Sequence, residues 1–255
     1  MSMVCVLWGI EGSGKTSIAL TFPRPLRHFD IDVGGFDRAA WRLDITGVDS
    51  KSYPLPVQID KLAGPEEVKV FKTERGLSVR MSSKVTGYRE LWQMIVVDYV
   101  EACQDPEVKT IVMDSSTQLW TICWTAELQL KQEAQLAKNP RLLDSELREK
   151  LQPVEFPNER MRQLIYTARS CGKNLVLTHY PANVYKEMPN PRTGEVTSYK
   201  SDELKLDGFN ATVKLSDIII WTEASLEGPR ASVSLKAAVP GLGMDAVGMP
   251  LIEPS

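Results

Sequence analysis

The sequence predicts an α/β fold in which a central, mostly parallel sheet is flanked by helices. Short apolar runs such as Val4–Trp8, Val108–Asp114 and Asn174–Tyr180 alternate with longer segments of helical periodicity, which is the pattern of successive β-α units. The first run leads into a glycine-rich turn and then a helix start. With 255 residues, the chain is expected to form one large domain over residues 1–255.

The turn after the first strand has the spacing G-x-x-x-x-G-K-T from Gly9 to Thr16. Glycines allow consecutive backbone N–H groups to point inward at phosphate oxygens, and the following helix adds the positive end of its dipole. Lys15 can reach the β- and γ-phosphates, and the Thr16 hydroxyl can ligate Mg²⁺. We therefore predict a nucleoside triphosphate site made by Gly9, Glu11, Gly12, Ser13, Gly14, Lys15, Thr16 and Ser17.

Composition and charge argue against a globally basic nucleic-acid-binding protein, a zinc protein and a membrane-spanning protein. The net charge of −3 gives no global basic field, so any contact with nucleic acid needs a local patch. The four cysteines lie far apart and there are only two histidines, which leaves little material for a zinc site. No apolar run approaches the roughly 20 residues of a membrane span, and the chain starts directly on its first strand. A cytoplasmic protein without membrane contact is expected.

A second strand is predicted over Leu26–Asp32, before Val33-Gly34-Gly35 interrupts it. We expect this strand to neighbour the first and to bring Asp32 to the edge of the sheet where ligands bind. Two interpretations of Asp32 stay open: it polarises an attacking water, or it is a solvated acid at a strand end.

The segment 43–83 is predicted to be an insertion on the core. Glycines and prolines punctuate it, and Val68–Lys72 and Leu77–Met81 are predicted to form a β-hairpin. From Lys69 to Arg89 the chain carries six basic residues and one acid, a local charge of +5. This stretch is either a solvated face or the chain's best candidate for contact with a phosphate backbone.

Between predicted helices at Tyr88–Gln104 and Gln118–Lys138, the run Val108–Asp114 is a buried strand that ends in an acid. After a phosphate-binding loop, a carboxylate in this place orients Mg²⁺ or its water shell. The sequence therefore predicts a metal site shared by Thr16 and Asp114.

The strand Asn174–Tyr180 also ends in polar residues, after a predicted helix over Asn158–Ser170. His179 could donate a hydrogen bond to the γ-phosphate as a sensor, or it could be a histidine bonded to a backbone carbonyl. The next segment, Pro181 to Lys214, is expected to be a long irregular loop whose five bases are matched by five acids. Two terminal strands are predicted after it.

The order of these elements resembles the RecA-type ATPases, and particularly the compact single-domain forms encoded by bacteriophages that act in single-strand annealing or recombination. The resemblance covers Met3 to about Lys236 and rests on the glycine-rich loop, Asp30-Ile31-Asp32 in place of the family's D-x-E, and the strand ends Asp114-Ser115 and Thr178-His179. It implies a RecA-like fold and Mg²⁺-dependent hydrolysis of ATP, with Lys15, Asp32, Asp114 and His179 as catalytic residues.

The resemblance also has implications for partners. Single-stranded DNA would contact the stretch from Lys69 to Arg89 and the loop from Pro181 to Lys214, and subunits would assemble into rings or filaments in the cytoplasm of a bacterial host. Family members often end a late strand with Lys-x-Arg, which reaches the phosphates of a neighbouring subunit. Lys236 matches this lysine, and Ala238 stands in place of the arginine.

Two other functions stay open. A P-loop ATPase that remodels or regulates a protein partner without binding DNA is favoured by the acidic balance and the neutral loop. A small-molecule kinase would carry an arginine-rich lid over its second substrate, and the sequence shows no such stretch.

Overall fold

The computed structural model describes residues 2–56, 69–73, 76–80, 84–142, 155–189, 196–225, 228–239 and 246–252. The strands in these ranges are β1 (Val4–Trp8), β2 (Leu26–Asp30), β3 (Val48–Ser52), β4 (Lys69–Thr73), β5 (Gly76–Arg80), β6 (Thr110–Asp114), β7 (Asn174–His179), β8 (Pro181–Pro189), β9 (Val196–Leu206), β10 (Ile218–Ser225), β11 (Gly228–Ala237) and β12 (Pro250–Ile252). The helices are α1 (Lys15–Ala19), α2 (Gly35–Ala40), α3 (Tyr88–Gln104), α4 (Ser116–Lys138), α5 (Glu155–Ser170) and α6 (Thr212–Leu215).

Eight of these strands form the central sheet, in the order β12-β11-β10-β1-β7-β6-β2-β3. The strands from β10 to β3 run parallel to their neighbours, whereas β11 and β12 continue the sheet in antiparallel pairs. The predicted α/β fold with a mostly parallel sheet is therefore confirmed.

The expectation that β2 neighbours β1 is wrong. Strands β7 and β6 lie between them, so β2 pairs with β6 and Asp30 stands beside Asp114 in the register. The residues of β6 and nearly all of those of β7 are buried. Such runs need cover on both faces and therefore take central places in a parallel sheet, while the chain from β1 crosses over them.

Helices cover both faces of the sheet. On one face, α3, α4 and α5 pack against strand residues such as Val6, Ile111 and Leu175. On the other face, α1 and α2 pack against the alternate residues, among them Leu7 and Val112. Successive side chains of a strand point to opposite faces of the sheet, so alternate residues of each central strand pack into the two different cores. Each fully buried aliphatic side chain contributes about 1.5–3 kcal/mol to folding.

The predicted insertion at 43–83 is corrected in part. Strand β3 lies within it and forms one edge of the central sheet beside β2, so this piece belongs to the core architecture. The predicted β-hairpin is present, because β4 and β5 pair antiparallel. Residues 57–68, 74–75 and 81–83 lie outside the described part of the chain.

The segment from Pro181 to Lys214 is not the irregular loop that we expected. Strands β8 and β9 pair antiparallel along most of their length, and α6 follows them. Valine and tyrosine occur on both strands and threonine on β9, and these residues favour extended backbone.

Within the described ranges, no helix combines the length and the apolar character that crossing a membrane requires.

Candidate nucleotide and metal site

The loop between β1 and α1 forms one wall of a pocket at the carboxyl edge of the sheet. The pocket is lined by residues 11–17, together with Asp32, Asp114 and Tyr180, and by Gly35, Arg38 and Ala39 of α2. Gly12 and Gly14 have φ values of +75° and +86°, a region that glycine adopts without the steric cost of a side chain. The structure thus brings together most of the residues predicted for the nucleotide site.

Gly9 lies behind the pocket, where the loop passes very close to β10. A Cβ atom at this position would stand 2.3 Å from the carbonyl oxygen of Thr222 and 2.8 Å from Oγ of Ser13. The hydroxyls of Ser13 and Thr222 are also hydrogen-bonded at 2.8 Å. The role of Gly9 in the geometry is therefore to let the loop rest on the neighbouring strand.

Lys15 is buried at the start of α1, where the loop ends. Its Nζ donates hydrogen bonds to the carbonyl oxygens of Gly9 at 2.8 Å and Ile10 at 2.7 Å, and it lies 4.4 Å from the centre of the Tyr180 ring. Burial lowers the pKa of Lys15, although the nearby carboxylates, that of Asp114 foremost, oppose the shift. The loop carbonyls thus hold the Lys15 ammonium group at the pocket.

Asp114 joins this loop to the end of β6. Oγ1 of Thr16 donates a hydrogen bond to its Oδ2 at 2.5 Å, and Oγ1 of Thr178 donates to its Oδ1 at 2.5 Å. Nε2 of His28 lies 3.4 Å from Oδ2. Burial alone would raise the pKa of Asp114, but the hydrogen bonds from His28, Thr16 and Thr178 outweigh it and lower the pKa. The carboxyl group is therefore an anion, as a magnesium site needs.

Asp32 reaches the pocket just beyond the end of β2. The hydroxyl of Tyr180 donates a hydrogen bond to Oδ2 of Asp32. Burial and the adjacent Asp32 raise the pKa of Tyr180, so the phenol keeps its proton and remains the donor in this pair. The contact orients the Asp32 carboxylate within the pocket and gives it a fixed neighbour.

The structure corrects the expected position of His179. Its ring is fully buried and Nδ1 lies 2.9 Å from the carbonyl oxygen of Asp207, which can only accept, so Nδ1 carries the proton. Nε2 has no hydrogen-bond partner among the described residues. Because side chains alternate along β7, Thr178 faces Asp114 and His179 faces away from it. Of the two interpretations of His179, the histidine bonded to a backbone carbonyl is the one that matches this contact.

Several site residues escaped the sequence analysis. His28 and Thr178 contact Asp114, and Tyr180 contacts Asp32 and Lys15. Side chains alternate along β2 and β7, and β6 lies between these two strands. His28 and Thr178 therefore stand on the same face of the sheet as Asp114, and the alternation could have identified them if the strand order had been known. Lys236, in turn, donates to the carbonyl oxygens of Lys214 and Ser216 of its own chain.

Comparison with known proteins identifies one matching family and several solved structures with a similar fold. The family described as AAA domain matches residues 1–205 of the chain. Among solved structures, a KaiC-like protein from the hyperthermophilic archaeon Pyrococcus horikoshii is 13% identical with a TM-score of 0.40, over 92% of this chain and 79% of that one. The RadB recombinase is 14% identical with a TM-score of 0.42, over 94% and 84%. No curated protein matches the chain at a significant level.

The close packing of Gly9 predicts the effect of a single methyl group. We expect Gly9→Ala to lower the free energy of unfolding by roughly 1–3 kcal/mol, because the facing atom is a backbone carbonyl that cannot rotate away. Gly12→Ala is the control, since its Cβ would meet nothing within 4 Å and only its positive φ is strained. Urea unfolding measures both. A Gly9→Ala protein as stable as the wild type would mean that contact with β10 does not constrain the loop.

Burial lowers the pKa of His179 to about 4, from an ordinary value of 6.5. The unfolded chain therefore takes up this proton first, and the free energy of unfolding falls as the pH drops from 6.5 towards 4. In His179→Asn, an amide N–H can still donate to Asp207. We expect urea unfolding near pH 5 to show about 2 kcal/mol less acid destabilisation in this variant than in the wild type. Identical pH profiles would contradict a histidine held neutral.

Proposed function

The chain belongs to the AAA domain family of P-loop ATPases, and on that premise we propose that it hydrolyses ATP with Mg²⁺ and couples hydrolysis to single-stranded DNA in annealing or recombination. The observation that carries the ATPase site is the 2.5 Å contact between Thr16 Oγ1 and Asp114 Oδ2. It joins the hydroxyl of the phosphate loop to a buried carboxylate, which are the two protein groups that a nucleotide-bound magnesium ion needs.

The donor chemistry of this place fits Mg²⁺. Both groups are hard oxygen donors, and the carboxylate is an anion because its pKa is lowered. Thr16 and Asp114 would hold the ion, which when bound would neutralise charge on the β- and γ-phosphate oxygens. The loop N–H groups of residues 12–16 would bind the same phosphates from the other side.

The remaining roles follow from position. Lys15 has a flexible chain and two carbonyl acceptors within its own loop, so it can exchange them for phosphate oxygens. Asp32 is proposed as the base that orients the attacking water, and the Tyr180 hydroxyl orients Asp32 in turn. The sensor role proposed for His179 passes to Tyr180, while the His179 carbonyl accepts a hydrogen bond from the Gly9 N–H at 3.3 Å.

Support for DNA comes from the β8–β9 hairpin, which begins one residue after Tyr180. Tyr185 is 68% exposed and Tyr199 is 45% exposed. In the register, Lys200 stands opposite Tyr185 and Lys186 stands opposite Tyr199. The Tyr185–Lys200 and Tyr199–Lys186 pairs lie on opposite faces of the hairpin, and Lys186 also forms an ion pair with Glu203. An exposed aromatic ring beside a lysine is suited to stacking on a base and contacting a phosphate of a single strand. The basic stretch from Lys69 to Arg89 remains the second proposed contact, in a ring or filament of subunits.

One observation favours the alternative of an ATPase that acts on a protein partner without DNA. Trp41 follows α2 close to the pocket and is 77% exposed, with the Arg42 guanidinium 5.2 Å from its ring centre. Tryptophan and arginine are the residues most enriched at the energetic centres of protein interfaces.

The phosphate site is tested with Lys15→Ala. We expect ATP turnover, measured as phosphate release, to fall at least about 100-fold because the transition state loses its main cation. Circular dichroism should show an unchanged fold. Lys138→Ala, at the exposed end of α4, is the matched control and should retain full turnover. A Lys15→Ala protein that still hydrolyses ATP would place the phosphate site elsewhere.

The DNA proposal is tested by anisotropy of a labelled single-stranded oligonucleotide over a salt series, with ATPase assays alongside. The wild-type affinity should fall steeply with salt. The double variant Tyr185→Ala/Tyr199→Ala should bind at least about tenfold more weakly with the same salt slope, because stacking is lost. Charge reversal at Lys69, Lys72 and Arg80 should reduce the slope.

Tyr166→Ala, an exposed tyrosine on α5, is the control and should bind like the wild type. If DNA neither binds nor stimulates ATP hydrolysis, the DNA proposal is overturned.

A further inference from the structure

Asp30 is a buried acid to which the proposed catalytic roles assign no function. It is 1% exposed, stands at the end of β2 and is the direct neighbour of Asp114 in the β2–β6 register. Two carboxylates buried side by side are costly unless a cation or hydrogen bonds compensate their charge. The surroundings of Asp30 therefore need an account.

The two oxygens of Asp30 have different surroundings. Oδ2 accepts hydrogen bonds from the Gly34 N–H at 3.0 Å and from Oγ of Ser52 at 3.1 Å. Oδ1 is buried and has no hydrogen-bond partner among the described residues. Because both donors bond to Oδ2, they fix the orientation of the carboxylate and therefore the direction in which Oδ1 points.

The free oxygen faces the same point as the two proposed metal ligands. A Cβ atom built on Gly35 would lie 3.4 Å from Thr16 Oγ1, 3.6 Å from Asp114 Oδ2 and 3.7 Å from Asp30 Oδ1. Gly35, Thr16 and Asp114 also line the pocket beside the phosphate loop. Three oxygens from three elements thus surround a small space that the absence of a side chain at residue 35 leaves open to the pocket.

We propose that Asp30 Oδ1 is a third protein oxygen of the magnesium site, which accepts hydrogen bonds from the water shell of the ion, and that Gly35 keeps the space for that shell. This inference rests on the proposed function. Mg²⁺ gives up its waters reluctantly and needs acceptors for them, and a buried unpaired carboxylate oxygen is a strong acceptor. The ion in turn compensates the charge of two adjacent acids.

The roles of the neighbouring acids differ accordingly. Asp114 is proposed to hold the ion together with Thr16. Asp32 lines the pocket, where the Tyr180 hydroxyl donates a hydrogen bond to it. Asp30 is a positioning residue, because it acts on waters of the ion and touches neither phosphate nor the attacking water. Removing it should weaken metal binding while leaving metal-free nucleotide binding unchanged.

The experiment uses Mn²⁺ as a spectroscopic substitute for Mg²⁺, with the full chain and a saturating non-hydrolysable ATP analogue. Electron paramagnetic resonance of free Mn²⁺ gives the metal affinity, and a fluorescent ADP gives the nucleotide affinity in chelator. Asp30→Asn should bind Mn²⁺ about 10- to 100-fold more weakly, the size of effect typical of groups that support first ligands. Gly35→Ala should weaken Mn²⁺ binding to a similar degree, because its methyl group occupies the space of the water shell.

Asp37→Asn is the matched control, since Asp37 lies two residues after Gly35 on α2, is exposed and lies outside the pocket lining. It should bind Mn²⁺ like the wild type, and all variants should bind the nucleotide alike in chelator. If Asp30→Asn does not fold by circular dichroism, Gly35→Ala decides the question. Wild-type Mn²⁺ affinity in the folded variants would overturn the role of Asp30. A wild-type protein whose Mn²⁺ affinity does not rise with nucleotide would instead overturn the ATPase site itself.

Discussion

The hydrogen bond between Thr16 and Asp114 is the contact on which the other features of the site depend. A carboxylate as buried as that of Asp114 must be paired, and the fold supplies partners from three different elements: Thr16 from α1, Thr178 from β7 and His28 from β2. These contacts require β6 to lie between β7 and β2, and they require the phosphate loop to turn back over the carboxyl edge of the sheet. The position of one acid is thereby linked to strand order, loop geometry and the chemistry of the pocket.

Much of this arrangement could be predicted from local pattern. The spacing from Gly9 to Thr16 is specific because each residue type has a steric or chemical reason, and Asp114 followed from an apolar run that ends in an acid. The order of the strands across the sheet could not be predicted from local pattern. A period of two tells which side chains share a face of one strand, but it does not tell which strands are neighbours. For this reason β2 was placed beside β1, and the pairing of Asp30 with Asp114 went unnoticed.

His179 and the β8–β9 hairpin show two further limits. The strand end Thr178-His179-Tyr180 offers three polar groups in a row, and only the exact register decides which one faces the pocket. Histidine was preferred for its chemistry, while in the structure Thr178 contacts Asp114 and Tyr180 lines the pocket. In the hairpin, an irregular loop was expected, although valine and tyrosine on both strands favour extended backbone.

Tyr180 also has a mechanical consequence. Its ring faces the ammonium of Lys15, its hydroxyl bonds to Asp32, and the next residue begins β8. Among the described residues, Tyr180 is thus the single one that contacts the Lys15 ammonium and the Asp32 carboxylate and also precedes the first residue of β8. Linkage is reciprocal, so a ligand of the hairpin whose binding depended on the position of Tyr180 would change the affinity of the loop for an anion by the same factor.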